Sequence, residues 1–216
     1  MNHPLPHSLR SDARDNRMRI LRAARAVFGE EGLGAPVRAV ARRASVGPAT
    51  LYRHFPTKGE LTAAAFAEQR RECRAIVHEA GADPDPWRGF RRLVEQTCEL
   101  HAHSSGFADA FIASRPDAAD FTADREHALR AVAALARRAQ RAGRLRSGFV
   151  VDDLVLMLMA HRGVQEVPHP DRLPASRRFA AYVIEAFRAA PAPGAPEPLP
   201  AAPRLGPVRS PYGTGP

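Results

Sequence analysis

Apolar positions in residues 37–61 repeat with a helical period on two short segments that a turn separates. On the first segment one face carries residues at i, i+3, i+4 and i+7, namely Val37, Val40, Ala41 and Ala44. The turn Ser45-Val46-Gly47 interrupts the pattern, and its Gly tolerates the backbone angles that a tight turn demands. Pro48 suits the first position of a second helix, in which Leu51 and Phe55 face the same core.

A longer helical pattern lies on either side of this pair. The first runs from Arg14 to Glu31, with Gly32 as a C-terminal stop. Thr57 followed by Glu60 resembles a capping box, so a long helix is predicted from Thr57 or Lys58 to about Glu79. We predict that residues 14–60 form a three-helix domain of the helix-turn-helix type.

Breaker residues divide the rest of the chain into further helices. The sequence Gly-Ala-Asp-Pro-Asp-Pro at residues 81–86 marks a boundary, where Asp85 caps a helix that has Pro86 at its first position. The predicted helices then run from Pro86 to about Ala102, Phe107 to Ser114, Phe121 to Ala142, Leu154 to about Gln165, and Leu173 or Ala175 to Ala189. The fold class is therefore all-α, with residues 61–189 as a C-terminal helical bundle.

The two ends of the chain lack periodicity. Residues 1–13 predict a disordered basic arm. Its Arg10, together with Arg14 at the start of the first helix, could reach a minor groove, and a disordered leader without a role is the alternative. Residues 190–216 are rich in Pro and Ala and predict a disordered tail, because they have too few apolar groups to offset the entropy of ordering.

The helix after the turn offers an outward face that suits DNA. Ala49, Thr50 and Arg53 point away from the core, flanked by Tyr52 and His54. A major groove accepts a slim helix end, with Arg for guanine edges or phosphates and Thr for methyl groups or phosphates.

The net charge of +9 is concentrated near this segment. Residues 1–60 hold eleven Lys and Arg against five Asp and Glu, whereas the remaining residues hold 21 against 18. A phosphate-neutralising surface explains the asymmetry, and a generally Arg-rich proteome is the alternative for the total. The chain has 31 Arg and one Lys, which is Lys58.

These motifs resemble the DNA-binding domain of a TetR-family transcriptional regulator over about residues 14–66. Ala44-Ser45-Val46 is similar to the family's turn, residues 50–55 (TLYRHF) to its recognition-helix signature, and residues 56–61 (PTKGEL) to the family's segment after that helix. The chain departs from the pattern at Ser45, where the family usually has Gly, and at Gly47, where Ser or Thr commonly caps the helix. Pro36-Val37 replaces a Thr-rich helix start.

The resemblance implies a dimeric regulator, most often a repressor, that binds a double-stranded DNA operator and is released by a small apolar effector. We expect phosphate contacts from Arg38, Arg42, Tyr52 and Lys58, and base contacts from Thr50, Arg53 and His54. Pro48 opens the recognition helix and Ala49 lets its backbone approach the DNA.

The second domain supplies candidates for dimerisation and effector binding. Residues 154–159 are apolar almost all round the helix, so we expect the last two helices to pair with those of a second copy as a four-helix bundle; an intramolecular core is the alternative. The candidate effector pocket is lined by Trp87, Phe90, Val94, Cys98, Phe107, Phe111, Phe121, Met157 and His161. Thr97 and His101 are further candidate anchors, and a plain core is again the alternative.

Other chemistry finds little support in the sequence. Neither the G-x-S-x-G motif of serine catalysis nor a phosphate-binding Gly loop is present. Cys73 and Cys98 lack the spacing of metal ligands, and His101 and His103 lie on different sides of a helix, so they do not form a metal site by themselves. We expect no enzyme activity, cofactor or metal. No run reaches the roughly 18 apolar residues of a membrane helix and no signal segment occurs, so we expect a cytoplasmic protein. Alternatives are a regulator without small-molecule effector, and a helical ligand carrier or enzyme with a vestigial helix-turn-helix.

Overall fold

The structure, a computed structural model, describes residues 6–112 and 119–189, and over these residues the chain is all-α, as predicted. The helices are α1 (Pro6–Glu30), α2 (Val37–Arg43), α3 (Pro48–His54), α4 (Lys58–Ala65), α5 (Ala67–Ala82), α6 (Pro86–His103), α7 (Ser105–Ile112), α8 (Ala119–Arg141), α9 (Val151–His161), a 3-10 segment (Arg162–Glu166) and α10 (His169–Phe187). None of these described helices has the length and hydropathy to cross a lipid bilayer.

The first three helices enclose a small core that fixes the angle of the helix-turn-helix. Its fully buried side chains are Ile20, Ala24, Phe28, Val40 and Leu51. The residue with left-handed backbone in the turn is Ser45, with φ +52°, whereas Gly47 is extended with φ −68°. The expectation that Gly47 provides the unusual angle is therefore wrong. The turn needs that angle two residues after α2 ends, where the Ser45 N–H donates to the Arg42 carbonyl.

The predicted boundary between the N-terminal arm and the first helix changes. α1 begins at Pro6, so residues 6–13 are helical and do not belong to a disordered arm. Pro is compatible with the first turn of a helix, where its missing N–H leaves no bond unmade. The remainder of the predicted arm, residues 1–5, and the predicted tail, residues 190–216, lie outside the described residues.

The long helix predicted from residue 58 is two helices. The backbone departs from helical geometry at Phe66, with φ −107° and ψ 20°. The Phe66 ring is buried between Phe28 and Phe107, and the carbonyl of Ala65 accepts a hydrogen bond from Arg25 Nε at 2.9 Å. Tertiary packing thus overrides the local preference for a continuous helix.

The last helix also begins earlier than predicted, at His169. Pro170 lies in its first turn, where a backbone N–H is not needed, and Pro174 is accommodated inside the helix. Arg172 Nη2 donates to the carbonyl of Gln165 at 3.0 Å and so joins the helix start to the preceding 3-10 segment.

The C-terminal bundle is built from α5, α6, α8 and α10. Asp85 caps α6 as predicted, because its side chain accepts from the N–H groups of Trp87 and Arg88 at 3.0 and 3.1 Å. At this end of the bundle, the Phe90 ring lies 5.2 Å from the Phe149 ring and 6.1 Å from the Phe187 ring. Burying such side chains contributes about 1.5–3 kcal/mol each relative to leaving them exposed.

The two domains meet where α7 packs against α1. The ring centroids of Phe28 and Phe66 are 6.4 Å apart, and those of Phe66 and Phe107 are 6.2 Å apart. At Gly106 of α7, a Cβ would lie 2.8 Å from the Phe66 ring and 3.0 Å from the Phe28 backbone. A residue without a side chain is therefore required for this close approach.

The left-handed backbone at Ser45 generates a prediction about stability. A non-glycine residue in this region is strained, whereas Gly populates it readily. Relief of this strain is partly offset by the conformational entropy that Gly adds to the unfolded chain. Ser45→Gly should therefore raise the free energy of unfolding by about 0.5–1 kcal/mol. Urea denaturation measures the change. The control is Ser147→Gly in an exposed turn without positive φ, which should be neutral or slightly destabilising; equal effects of both substitutions would contradict the prediction.

Candidate nucleic-acid interface and polar cleft

The outward face of α3 is open to solvent along most of its length. Ala49 and Arg53 are exposed, Thr50 and His54 are half-buried, and Tyr52 is 49% exposed. Leu51 and Phe55 hold the helix in place from the other side, with 0% and 2% exposure. The face selected from the sequence is thus not packed against the second domain.

Arg53 and Thr50 form a joined pair on this face. Arg53 Nη2 donates a hydrogen bond to Thr50 Oγ1 at 2.9 Å, one turn back along the helix. The contact orients a guanidinium, which has five N–H donors in a fixed fork. An arginine arranged in this way is suited to a bidentate contact with guanine O6 and N7.

The arginines of α2 extend the basic surface. Arg38 and Arg42 are exposed, and Pro48 is exposed at the start of α3. Arg43 is different, because its Nη2 donates to Glu30 Oε1 at 2.8 Å in an ion pair that joins α2 to the end of α1. The basic surface of α2 therefore consists of Arg38 and Arg42, as the sequence indicated.

Lys58 and Arg17 contact the edges of α3 from neighbouring helices. Lys58 is half-buried, and its Nζ donates to the carbonyl of Ala35 at 2.6 Å, which ties the start of α4 to the α1–α2 loop. The Arg17 guanidinium lies 4.4 Å from the centre of the Phe55 ring and donates to the His54 carbonyl at 3.4 Å. Arg17 is exposed, so it adds a cation beside the recognition helix. Its contacts with α3 could not be read from the local sequence, because the His54 carbonyl lies 37 positions away in the chain.

Eight of the nine predicted effector residues are core side chains that do not line the cleft described in the next paragraph. They are at most 9% exposed: Trp87, Phe90, Val94, Cys98, Phe107, Phe111, Phe121 and Met157. The centre of the Phe107 ring alone lies within 5.7–6.3 Å of the ring centres of Phe66, Phe111 and Phe121. These side chains fill the bundle with their own packing, which agrees with the core alternative. The ninth, His161, does line the cleft.

This polar cleft has a volume of about 350 Å³ and lies between the two domains. One wall is the end of α1, and the other is formed by α7, α9 and the 3-10 segment. Its lining residues are Gly29, Glu30, Gly32, His101, Ala108, Asp109, Met159, His161, Arg162, Gly163, Gln165 and Glu166. The sequence signalled His101 and His161 but missed Asp109 and Arg162, whose ion pair of 2.9 Å joins separate helices.

Two buried histidines form the floor of the cleft. Each is 1% exposed, and their ring centroids are 6.4 Å apart. Burial, followed by repulsion from His161, lowers the pKa of His101 to about 3, and burial lowers the pKa of His161 to about 4. Both rings are therefore neutral at pH 7, and the His161 Nε2 pairs with Ser176 Oγ at 2.9 Å.

Neither the cysteines nor a metal cluster adds chemistry within the described residues. Burial raises the pKa of Cys73 and of Cys98 to about 12, so both are inert thiols that behave as small hydrophobic groups. Over residues 6–112 and 119–189, no three His, Cys, Asp or Glu side chains are arranged to hold a metal ion.

Comparison with known families supports the two-domain organisation. Residues 20–65 match the family described as bacterial regulatory proteins, tetR family. Residues 85–188 match the C-terminal domain described as transcriptional regulator SbtR-like. The HTH-type transcriptional regulator UidR of Escherichia coli (strain K12) is 33% identical over 73 residues, which are 33% of this chain and 37% of the relative. The alignment thus spans little more than a third of that relative's length.

Solved structures share the fold at low sequence identity. The ketosteroid transcriptional regulator KstR2 of Mycobacterium tuberculosis superposes with a TM-score of 0.63 at 19% identity, over 80% of this chain and 94% of that one. A bacterial regulatory protein of the tetR family from Rhodococcus RHA1 gives 0.62 at 21% identity, over 82% and 98%. Both comparisons show that the arrangement of the helices is common to these proteins.

The buried histidines predict that acid destabilises the fold. A histidine in the unfolded chain has a pKa of about 6.5, whereas burial holds the pKa of His101 at about 3. Between these values the unfolded chain binds a proton that the native chain does not, so stability falls as the pH drops below about 6.5. Each such site contributes a slope of up to about 1.4 kcal/mol per pH unit.

His101→Phe should flatten this dependence, measured as the free energy of unfolding in urea at a series of pH values. The substitution removes the titrating ring and keeps an aromatic group among Phe107 and its neighbours. His127→Phe on the exposed side of α8 is the control, and its curve should track that of the wild type. An unchanged slope in His101→Phe would contradict the assignment.

Proposed function

The chain belongs to the TetR family of bacterial regulatory proteins, and we propose that it is a sequence-specific transcriptional repressor that binds a near-palindromic operator as a homodimer. The observation that carries the proposal is the open outward face of α3 with its oriented Arg53–Thr50 pair. A two-fold dimer presents two such helices about one turn of DNA, roughly 34 Å, apart.

Each side chain predicted to contact DNA has a role in this proposal. Thr50, Arg53 and His54 contact bases, and Ala49 allows close approach of the helix backbone. Arg38, Arg42, Tyr52 and Lys58 contact phosphates. Arg17 also contacts a phosphate, because its guanidinium lies against Phe55 at the edge of the recognition helix.

The surface of α9 and α10 supports the proposed dimer. Leu154, Val155, Met157 and Leu158 are buried within the chain, whereas Leu156 is 47% exposed. On α10, Tyr182 is 60% exposed. Large apolar side chains on the two helices that the sequence assigns to dimerisation favour their burial against a second copy.

A small-molecule effector would act by binding one arrangement of the two domains in preference to the other. The predicted apolar pocket coincides with packed core, whereas the cleft between the domains is lined by charged and polar groups. We therefore propose the cleft, and not the apolar core, as the effector site. A regulator without effector remains the rival, and binding of ligands in the absence of DNA distinguishes them.

Arg53→Ala should relax sequence preference. Loss of a base contact costs about 1–3 kcal/mol on the specific operator and leaves binding to unrelated DNA nearly unchanged. Competition gel shifts with operator and scrambled duplexes measure both affinities. Arg130→Ala on the exposed side of α8 is the control and should match the wild type. An equal loss on both duplexes would remove Arg53 from the base-contact set.

Lys58→Ala should behave differently and weaken binding to both duplexes about equally, because a phosphate contact carries no sequence information. The same substitution removes the hydrogen bond to the Ala35 carbonyl. Thermal unfolding of the free protein therefore accompanies the gel shift. A loss of specificity in place of a uniform loss would contradict the phosphate assignment.

The dimer interface is tested by introducing charge on its exposed apolar residues. Leu156→Glu combined with Tyr182→Glu should convert the dimer to monomer in light scattering, because two buried carboxylates per subunit would be unpaired in the interface. Operator affinity should fall as the dimer is lost. Ala134→Glu, on an exposed position of α8, is the control and should leave the dimer intact. A dimeric double variant would place the interface elsewhere.

A further inference from the structure

The polar cleft contains a buried polar side chain that the protein leaves unsatisfied. His101 is 1% exposed, and neither its Nδ1 nor its Nε2 has a hydrogen-bond partner among the described residues. Its backbone carbonyl accepts from Gln165 Nε2, which holds the residue beside the 3-10 segment. Buried polar groups are rarely left without partners, so an unsatisfied ring that lines a cleft points to a ligand.

The ring of His101 presents two different hydrogen-bonding atoms. Because burial keeps the imidazole neutral, one nitrogen donates and the other accepts. His161, the neighbouring titratable ring, uses its Nε2 on Ser176. The floor of the cleft can therefore bind a group that donates a hydrogen bond, that accepts one, or that does both.

The charges around the cleft are predominantly negative. Its lining includes the carboxylates Glu30, Asp109 and Glu166 and one guanidinium, Arg162. Arg162 Nε is engaged with Asp109 at 2.9 Å, and Glu30 pairs with Arg43 outside the cleft. Glu166 is exposed on the 3-10 segment and forms no ion pair among the described residues. An anion would meet this excess of carboxylates, whereas a cation would be attracted to it.

We propose that the cleft binds a small organic cation, whose ammonium or amidinium group contacts Asp109 and Glu166 and whose inner end hydrogen-bonds the ring of His101. The volume of about 350 Å³ is at the small end of ligand sites, which limits the ligand to a compact molecule. The polar walls select against an apolar compound of the same size.

The position of the cleft gives this ligand a route to the DNA-binding helices. One wall carries Glu30, which is paired with Arg43 at the end of α2, and the opposite wall carries Asp109 of α7. A bound cation contacts Asp109 of the second domain and lies across the cleft from Glu30, so it favours the arrangement in which the Glu30 carboxylate approaches it. This consequence rests on the proposed function, whereas binding of the cation does not.

A matched four-carbon series tests the charge preference. Putrescine, 1,4-butanediol and succinate have similar length and carry positive, neutral and negative ends. Isothermal titration of the full chain without DNA, at physiological salt, should show saturable binding of putrescine and none of succinate. Butanediol should bind at least about tenfold more weakly than putrescine, because hydrogen bonds to charged groups are stronger. Absence of putrescine binding at millimolar concentration, or equal binding of succinate, would overturn the proposal.

Substitutions in the cleft test its location. Glu166→Gln removes an exposed carboxylate without disturbing the core and should weaken putrescine binding about tenfold. Glu126→Gln, which removes an exposed carboxylate from α8, is the matched control and should leave the affinity unchanged. In ¹⁵N spectra of the histidine rings, putrescine should shift one pair of ring-nitrogen resonances. That pair should be absent from the spectrum of His101→Phe, which assigns it to His101. Equal affinities of the two Glu variants, or no shifted ring resonance, would overturn the assignment.

Operator gel shifts separate this inference from the proposed function. Putrescine should lower the operator affinity of the wild type and have less effect on Glu166→Gln. If the protein binds putrescine through Glu166 but binds no DNA, the proposed function fails and the cleft assignment stands. If operator binding is intact and putrescine does not bind, the cleft assignment fails and the proposed function stands.

Discussion

The contact between Phe28, Phe66 and Phe107 determines how the two domains are held. The three rings come from α1, from the break between α4 and α5, and from α7, and all are at most 1% exposed. Without the break at Phe66, its ring would not lie between the other two, and without a glycine at position 106 the helices could not approach so closely. The orientation of the recognition helix relative to the bundle depends on this packing.

The apolar and polar residues of the small N-terminal domain have separate tasks. Leu51 and Phe55 attach α3 to the core, and this leaves its other side for Thr50 and Arg53. The outward residues of α3 do not contribute to the core, so this surface can change its sequence with little cost to stability. Lys58, at the start of α4, differs from these residues, because its ammonium joins that helix to the α1–α2 loop.

The polar cleft lies beside the aromatic contact and has the opposite character. His101 contacts Phe107 edge-on at 6.1 Å and lines the cleft at the same time, so one residue belongs to both. A change in the occupancy of the cleft would therefore act next to the packing that orients the DNA-binding helices. The energy involved need only be a few kcal/mol, which is the range of typical coupling between sites.

Features that depend on neighbours in the chain could be read from the amino-acid sequence, whereas contacts between distant segments could not. Helical periodicity placed α2 and α3 and separated their buried and exposed faces, Asp85 marked the start of α6, and the motif around Tyr52 indicated the family. Caps, turns and amphipathic faces are formed by residues a few positions apart, so their signals are local. The aromatic residues of the second domain were recognised as apolar, but periodicity does not distinguish a packed core from a pocket wall. Other features were decided only by the packing of whole helices: the break at Phe66, the stacking of Arg17 on Phe55, the contact of Lys58 with Ala35, and the proximity of His101 to His161 in the cleft. In each case the partner is remote in the chain, and the side chain looks ordinary in its local sequence.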